Sequence, residues 1–302
     1  MKSRALAAIF AVACVVAWPL SAKDATRRVR DDAGEWVTVS ASECRVVSLA
    51  PGTTAMLYAA GAARCIVGTI AHSDEPAEAA KLPVVGDAET LDFERLLSLR
   101  PTAVVVAVDV VQRVRIDRLR ALNIPVYQVH VTSLDGMPAS VRALAKLTDT
   151  EREAKIAATA LEHELAGIRA RYQSRPPIRV LYQIWDQPIY TIGGRHVISD
   201  ALKLCGATNI FGELGTAAPA VTREAALLRD PDLIIASAPP AAAEGWLAEW
   251  RRFPALTAVR NDHLTSYSDE RIDRMGPSVI AATGHLCEVV DAARPRTTNA
   301  AR

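Results

Sequence analysis

A chain of 302 residues with 35 basic and 34 acidic side chains carries almost no net charge. That balance removes the electrostatic case for a nucleic acid or another acidic polymer as partner. Half of the residues are apolar, which is ample for two buried cores at roughly 100–200 residues per domain.

The chain opens on Lys2 and Arg4, an apolar run from Ala5 to Trp18, then Pro19 and the small pair Ser21-Ala22. A positive start, an apolar middle and a small-residue exit are the parts of a secretory signal, so cleavage is expected near Ala22. The run is short for a membrane span, and no later stretch reaches about 18 uninterrupted apolar residues. The expectation is an exported, soluble protein. Leu20 stands where a small residue is preferred. Cys14 lies inside the apolar run with more apolar residues after it, which argues against lipidation.

Residues 23–42 read as a leader hairpin, two short strands around the turn Asp31-Asp32-Ala33-Gly34. Arg45-Val46-Val47-Ser48-Leu49 is then a strand ended by Pro51-Gly52, with Thr53 or Thr54 expected to cap a helix that runs to Gly61. Ile66–Thr69 is a strand, Asp92–Leu99 a helix stopped by Pro101, and Ala103–Val108 a fully apolar strand. A helix over 111–121 and a strand over Ile124–Val129 follow. Short apolar strands alternating with helices indicate a parallel sheet covered on both faces. From Asp149 to Gln173 the residues Ile156, Leu161, Leu165, Ile168 and Tyr172 fall near helical spacing, which predicts one long amphipathic helix ended by Ser174-Arg175-Pro176-Pro177. The alternation restarts with a strand at Val180–Ile184, helices at Ile198–Cys205 and 222–229, strands at Leu233–Ala236 and Leu264–Tyr267, and a last helix over 277–291.

The halves echo each other. Phe93-Glu94-Arg95-Leu96-Leu97-Ser98-Leu99-Arg100-Pro101 precedes an apolar strand, as does Arg223-Glu224-Ala225-Ala226-Leu227-Leu228-Arg229-Asp230-Pro231. Leu57-Tyr58-Ala59-Ala60-Gly61 likewise matches Leu202-Lys203-Leu204-Cys205-Gly206. Two α/β lobes joined by a long helix follow: signal 1–22, leader hairpin 23–42, N-terminal lobe 43–148, connecting helix 149–174, C-terminal lobe 175–292 and a disordered tail 293–302.

Over about residues 43–292 the chain resembles the periplasmic binding proteins of cobalamin, siderophore and haem import, nearest the cobalamin-binding branch. The resemblance rests on Arg45–Pro51, Ala60-Gly61, Val85-Gly86, Arg100-Pro101, Pro188-Ile189-Tyr190-Thr191 and, most specific, Cys205-Gly206-Ala207-Thr208-Asn209-Ile210-Phe211. It implies two Rossmann-like lobes with a ligand cleft between them and a backbone helix that limits hinging. It implies a monomer that captures a corrinoid as cargo, with no resident cofactor, and delivers it to an ABC transporter permease dimer. A ferric siderophore or haem is the alternative cargo. The chain lacks the tryptophans that known cobalamin binders carry in the segments matching Val85–Thr90 and Ala217–Ala220.

Loops at the carboxyl ends of the strands must line the cleft. They nominate Ala50–Thr53, His72, Asp109, Trp185, Tyr190, Arg195, His196 and Tyr267–Arg274. Of these, Pro51, His72, Trp185, Tyr190, Arg271 and Arg274 are the expected ligand contacts. Trp185 and Tyr190 suit the flat face of a macrocycle, and Arg271 or Arg274 a carboxylate or phosphate. Asp109 reads first as a helix cap. In the haem reading His72 and Tyr190 approach an iron from opposite lobes. A zinc site from His72, His130, His196 and His263 needs three or four ligands to converge, and none is expected. No G-x-S-x-G, P-loop or H-E-x-x-H occurs, so a binding protein rather than an enzyme is expected.

Four cysteines follow the signal, and export permits their pairing. Three connectivities are possible. Cys44 and Cys65 each precede one of two successive strands, which favours their pairing. Cys205 and Cys287 end up on packed helices of the second lobe, and the resemblance supports that bridge. It also implies permease docking through Glu94 and Glu224, one at the start of a helix in each lobe.

Overall fold

The computed structural model describes residues 25–108 and 111–294. The signal segment, Cys14, Asp109 and residues 295–302 lie outside them. The leader forms an antiparallel hairpin of β1 (Thr26–Arg30) and β2 (Trp36–Ser40). Asp31 closes its turn by accepting from Glu35 N at 2.8 Å, and ties it to the first lobe by accepting from Gln128 Nε2 at 3.1 Å.

The N-terminal lobe contains β3 (Val46–Ser48), α1 (Pro51–Ala59), β4 (Ile66–Gly68), α2 (Phe93–Ser98), β5 (Ala103–Ala107), α3 (Arg113–Ala121) and β6 (Val126–Val129). Its four strands are all parallel, in the order β4-β3-β5-β6. Two helices then connect the lobes, α4 (Gly136–Thr148) and α5 (Glu151–Tyr172). Asp149 separates them in the left-handed conformation, φ +60°, which Asp tolerates better than most residues. The sequence predicted α5 and not α4.

The C-terminal lobe runs β7 (Ile178–Trp185), β8 (Ile189–Thr191), α6 (Val197–Leu204), β9 (Ala207–Asn209), β10 (Ala220–Val221) and α7 (Arg223–Arg229). It continues with β11 (Leu233–Ser237), α8 (Pro240–Arg251), α9 (Thr257–Arg260), β12 (Leu264–Tyr267) and α10 (Val279–Ala292). Its parallel strands are ordered β9-β7-β11-β12, with β8 and β10 added antiparallel beside the carboxyl end of β7. Numbered within each lobe, both parallel sheets have the order 2-1-3-4. The repeat seen in the sequence is thus a repeat of topology, and α2 and α7 both lead into the third strand.

Each sheet carries its own core on one face: Val47, Leu96, Val104 and Leu119 in the first lobe, Leu181, Phe211, Ile234 and Trp250 in the second. A third core is shared. It joins Met56 and Leu57 of α1, Leu144 of α4, Leu165 of α5 and Leu202, Ile280 and Leu286 of the second lobe. α5 packs against α1, α4, α6 and α10, so the connection between the lobes is a packed core.

Three local expectations change. α1 begins at Pro51 with no side-chain cap, and Thr53 and Thr54 are buried inside it. Their hydroxyls reach back to Ala50 O at 2.9 and 3.1 Å and bond Ser48 Oγ at 2.7 and 2.9 Å. Ile156 is exposed, because the buried stripe of α5 passes through Ala154 and Ala158. Ala293 and Arg294 belong to the fold rather than to a tail. Arg294 is buried and donates to Pro176 O at 2.8 Å and Cys205 O at 2.6 Å. Cys44–Cys65 and Cys205–Cys287 are paired as expected, with Cα atoms 5.0 and 4.8 Å apart.

Candidate functional site

A cavity of about 450 Å³ opens between the lobes. The first lobe supplies Pro51, Gly52, Thr53 and Met56 from α1, His72 from the loop after β4, and Ala107, Val129 and Val131 from the ends of β5 and β6. The second lobe supplies Glu270, Asp273, Arg274 and Met275 from the segment after β12. The first wall is mainly apolar and the second mainly charged. The buried hydroxyls of Ser48, Thr54 and Thr69 fix the start of α1 against two strand ends, with Thr54 Oγ1 2.9 Å from both Ser48 Oγ and Thr69 Oγ1. Two lining residues, His72 and Met275, hold left-handed backbones at φ +65° and +55°. Such conformations in non-glycine residues concentrate at binding sites.

The lobes meet closely beside the cavity. A Cβ on Gly52 would lie 2.3 Å from Arg274 O and 2.7 Å from Met275 O, so only glycine permits this approach. Arg274 pairs with Asp74 of the first lobe and, at 3.2 Å, with Glu270. Ser278 Oγ donates to Glu75 at 2.9 Å. The Asp273 carboxyl is open to the cleft yet crowded by protein. Burial, with smaller contributions from the Glu270 and Asp269 charges, pushes it up to about 6.

Of the expected contacts, Pro51, His72 and Arg274 line the cavity; Trp185, Tyr190 and Arg271 do not. Arg271 lies in the same segment but turns away to Asp269, with Nε 2.8 Å from Oδ1, and to His285 Nδ1 at 3.0 Å. That pairing holds the Asp269 carboxyl down to about 2. Trp185 is 58% exposed at the end of β7, and Tyr190 pairs opposite it on β8. Both belong to the carboxyl end of the second sheet, beside the cavity. His196 caps α6, its Nδ1 accepting from Ile198 N at 3.2 Å, and His263 Nδ1 lies 3.0 Å from Asp232 O. Among the described residues no three His, Cys, Asp or Glu side chains gather as a metal site. Sequence reasoning passed over Glu270 and Asp273, although the nominated segment contains them. It also missed Trp246, whose ring centre lies 6.3 Å from that of Trp185.

Glu94 and Glu224 are exposed in the first turns of α2 and α7 and form no ion pair among the described residues. A helix that returns to start the next parallel strand begins at the carboxyl end of the sheet. Both acids therefore face the cleft side of the molecule, one on each lobe.

Two like-wound α/β lobes, a shared helical core and a cavity at the facing strand ends define a bilobal ligand-binding protein. Residues 46–270 match the family model described as periplasmic binding protein, and the chain belongs to that family. It is 30% identical over 244 residues to the vitamin B12-binding protein of Vibrio cholerae serotype O1, covering 80% of this chain and 87% of that one. The vitamin B12-binding protein of Pectobacterium carotovorum is 30% identical over 258 residues, covering 85% and 91%. The crystal structure of the periplasmic vitamin B12 binding protein of Vibrio cholerae superposes with a TM-score of 0.75 at 30% identity, covering 82% of this chain and 97% of that one. The periplasmic heme binding protein of the same organism shares the fold, with a TM-score of 0.69 at 21% identity over 82% and 98%.

Proposed function

We propose that this protein captures a corrinoid in the periplasm and delivers it to the permease of an ABC importer. The observation that carries the reading is 30% identity, along four-fifths of the chain, to proteins named for vitamin B12 binding. The cavity chemistry agrees with it. An apolar wall of Met56, Val129 and Val131 suits a macrocycle's methyl-rich face, and Glu270, Asp273 and Arg274 offer partners to its amide side chains. Haem is a poorer match, because its two carboxylates would meet Glu270 and Asp273 while the one lining arginine is already paired with two acids. The protein binds and releases its cargo without chemical turnover and holds no resident cofactor. It works as an exported monomer, with residues 1–22 as the signal. Calorimetry tests this directly. Cyanocobalamin should bind one to one, and haem or a ferric siderophore should bind weakly. Heat from haem or the siderophore alone would move the assignment to that cargo.

A further inference from the structure

In an open parallel α/β sheet, ligands collect outside the carboxyl ends of the strands, at the point where strand order reverses. With order 2-1-3-4, that point lies between the first and third strands of each lobe. In the first lobe it falls between β3 and β5, and the cavity residues Pro51 and Ala107 stand there. In the second lobe it falls between β7 and β11. Trp185 ends β7, and Trp246 lies on α8, which follows β11. Their rings meet edge to face, 6.3 Å apart and inclined at 63°.

The strand register gives the height of Trp185. Gln183 aligns with Ala236, and Ser237 with Tyr267. Trp185 thus stands one residue beyond the level at which β12 ends, and the cavity segment Glu270–Met275 starts three residues after that end. β11 separates β7 from β12, so Trp185 lies about 10 Å to the side of the end of β12 at two strand spacings.

The pair is also held in place. Trp246 is anchored in the outer core of the lobe. The wholly buried Gln183 accepts from Trp250 Nε1 at 2.8 Å and donates to Trp185 O at 3.2 Å. A fixed backbone and a supporting ring leave Trp185 more than half exposed. A tryptophan so fixed and yet so open contributes little to the core. It suits a surface on which another ring stacks.

Resting on the corrinoid reading, we infer that Trp185 and Trp246 form a stacking platform outside the cavity that holds the benzimidazole of the cobalamin nucleotide loop. The cavity's apolar wall and facing carboxylates match the macrocycle and its amides. The nucleotide is the remaining part of the ligand, and its base is the aromatic group left to place. The platform makes this protein selective for complete cobalamin over base-free cobinamide.

The test compares cyanocobalamin with dicyanocobinamide by calorimetry on the full mature chain, using Trp185→Ala, Trp246→Ala and Trp185→Phe. Thermal unfolding confirms that each variant folds. Removing one stacking ring should weaken cyanocobalamin binding by roughly 5- to 150-fold, the range for base–aromatic stacking. Cobinamide affinity should move by less than about twofold, since no stacked ring is lost from it. Trp185→Phe should retain most of the cyanocobalamin affinity. Equal losses for both corrinoids, or no loss for either, overturn the platform while leaving the corrinoid reading standing. If the wild-type protein binds neither corrinoid, the ligand reading falls and takes this inference with it.

Discussion

Asp269 and Asp273 lie four residues apart, and their surroundings shift their carboxyls in opposite directions. Paired with Arg271, Asp269 is held down to about 2, so the stability it contributes is present above its ordinary value near 3.8 and is lost as pH falls toward 2. Asp273 is pushed up to about 6 by burial. Between 3.8 and about 6 the folded protein keeps a proton there that the unfolded chain has released, so stability falls as pH rises through that window. Asp273→Asn preserves the shape and removes the charge. It should raise the unfolding temperature at pH 7–8, leave it unchanged near pH 4, and flatten the decline between them. Thermal scans across that range check this, and parallel pH curves for the two proteins would refute it. Residues at this scale were partly legible. The rule that strand ends line the cleft found Pro51, His72 and Arg274. It could not tell Arg271 from Asp273, because the short turn at Glu270–Ile272 decides which side chain faces inward. Charge type alone does not encode that.

At the scale of elements, the strands with unbroken apolar runs, Ala103–Ala107 and Leu233–Ser237, were plain in the sequence because both faces of each are buried. α4 and α8 were not. Gly136 and Pro138 sit in the first turn of one, and Pro240 opens the other after Pro239. Such residues read as breakers, although a helix start tolerates them. Missing α8 hid Trp246. The two disulfides cross-link elements at very different chain separations, 21 residues for Cys44–Cys65 and 82 for Cys205–Cys287. Loop closure assigns about 3 kcal/mol to the first and about 4–5 kcal/mol to the second. Replacing Cys205 and Cys287 together by Ala should therefore lower stability more than replacing Cys44 and Cys65, by about 1 kcal/mol. Urea unfolding of the two double variants measures the difference. The reverse order would mean that local packing, not loop length, governs these bridges.

Across the whole molecule, the shared core and the Gly52–Arg274 approach leave little room for the lobes to close on cargo. On the proposed reading, a permease would meet the two lobes as one packed surface. Glu94 and Glu224 occupy the same place in the 2-1-3-4 winding, so they are related by the pseudo-symmetry of the lobes and stand on either side of the cleft. Neither is neutralised by a partner among the described residues. A two-fold permease that presents a cluster of arginines to each acid would centre the cleft over its own axis. Carboxylates in a first helical turn are also favoured by the helix dipole, at about 0.3–1 kcal/mol each, and that alone would account for their presence. Charge reversal separates the two roles. Because rim charges set encounter and register, Glu94→Arg with Glu224→Arg should leave cargo affinity nearly unchanged and abolish corrinoid uptake in cells that carry the cognate permease. The helix-dipole role predicts a different result: slightly lower unfolding temperature with normal uptake. Uptake at the wild-type rate in the double variant would reduce both acids to helix-start residues.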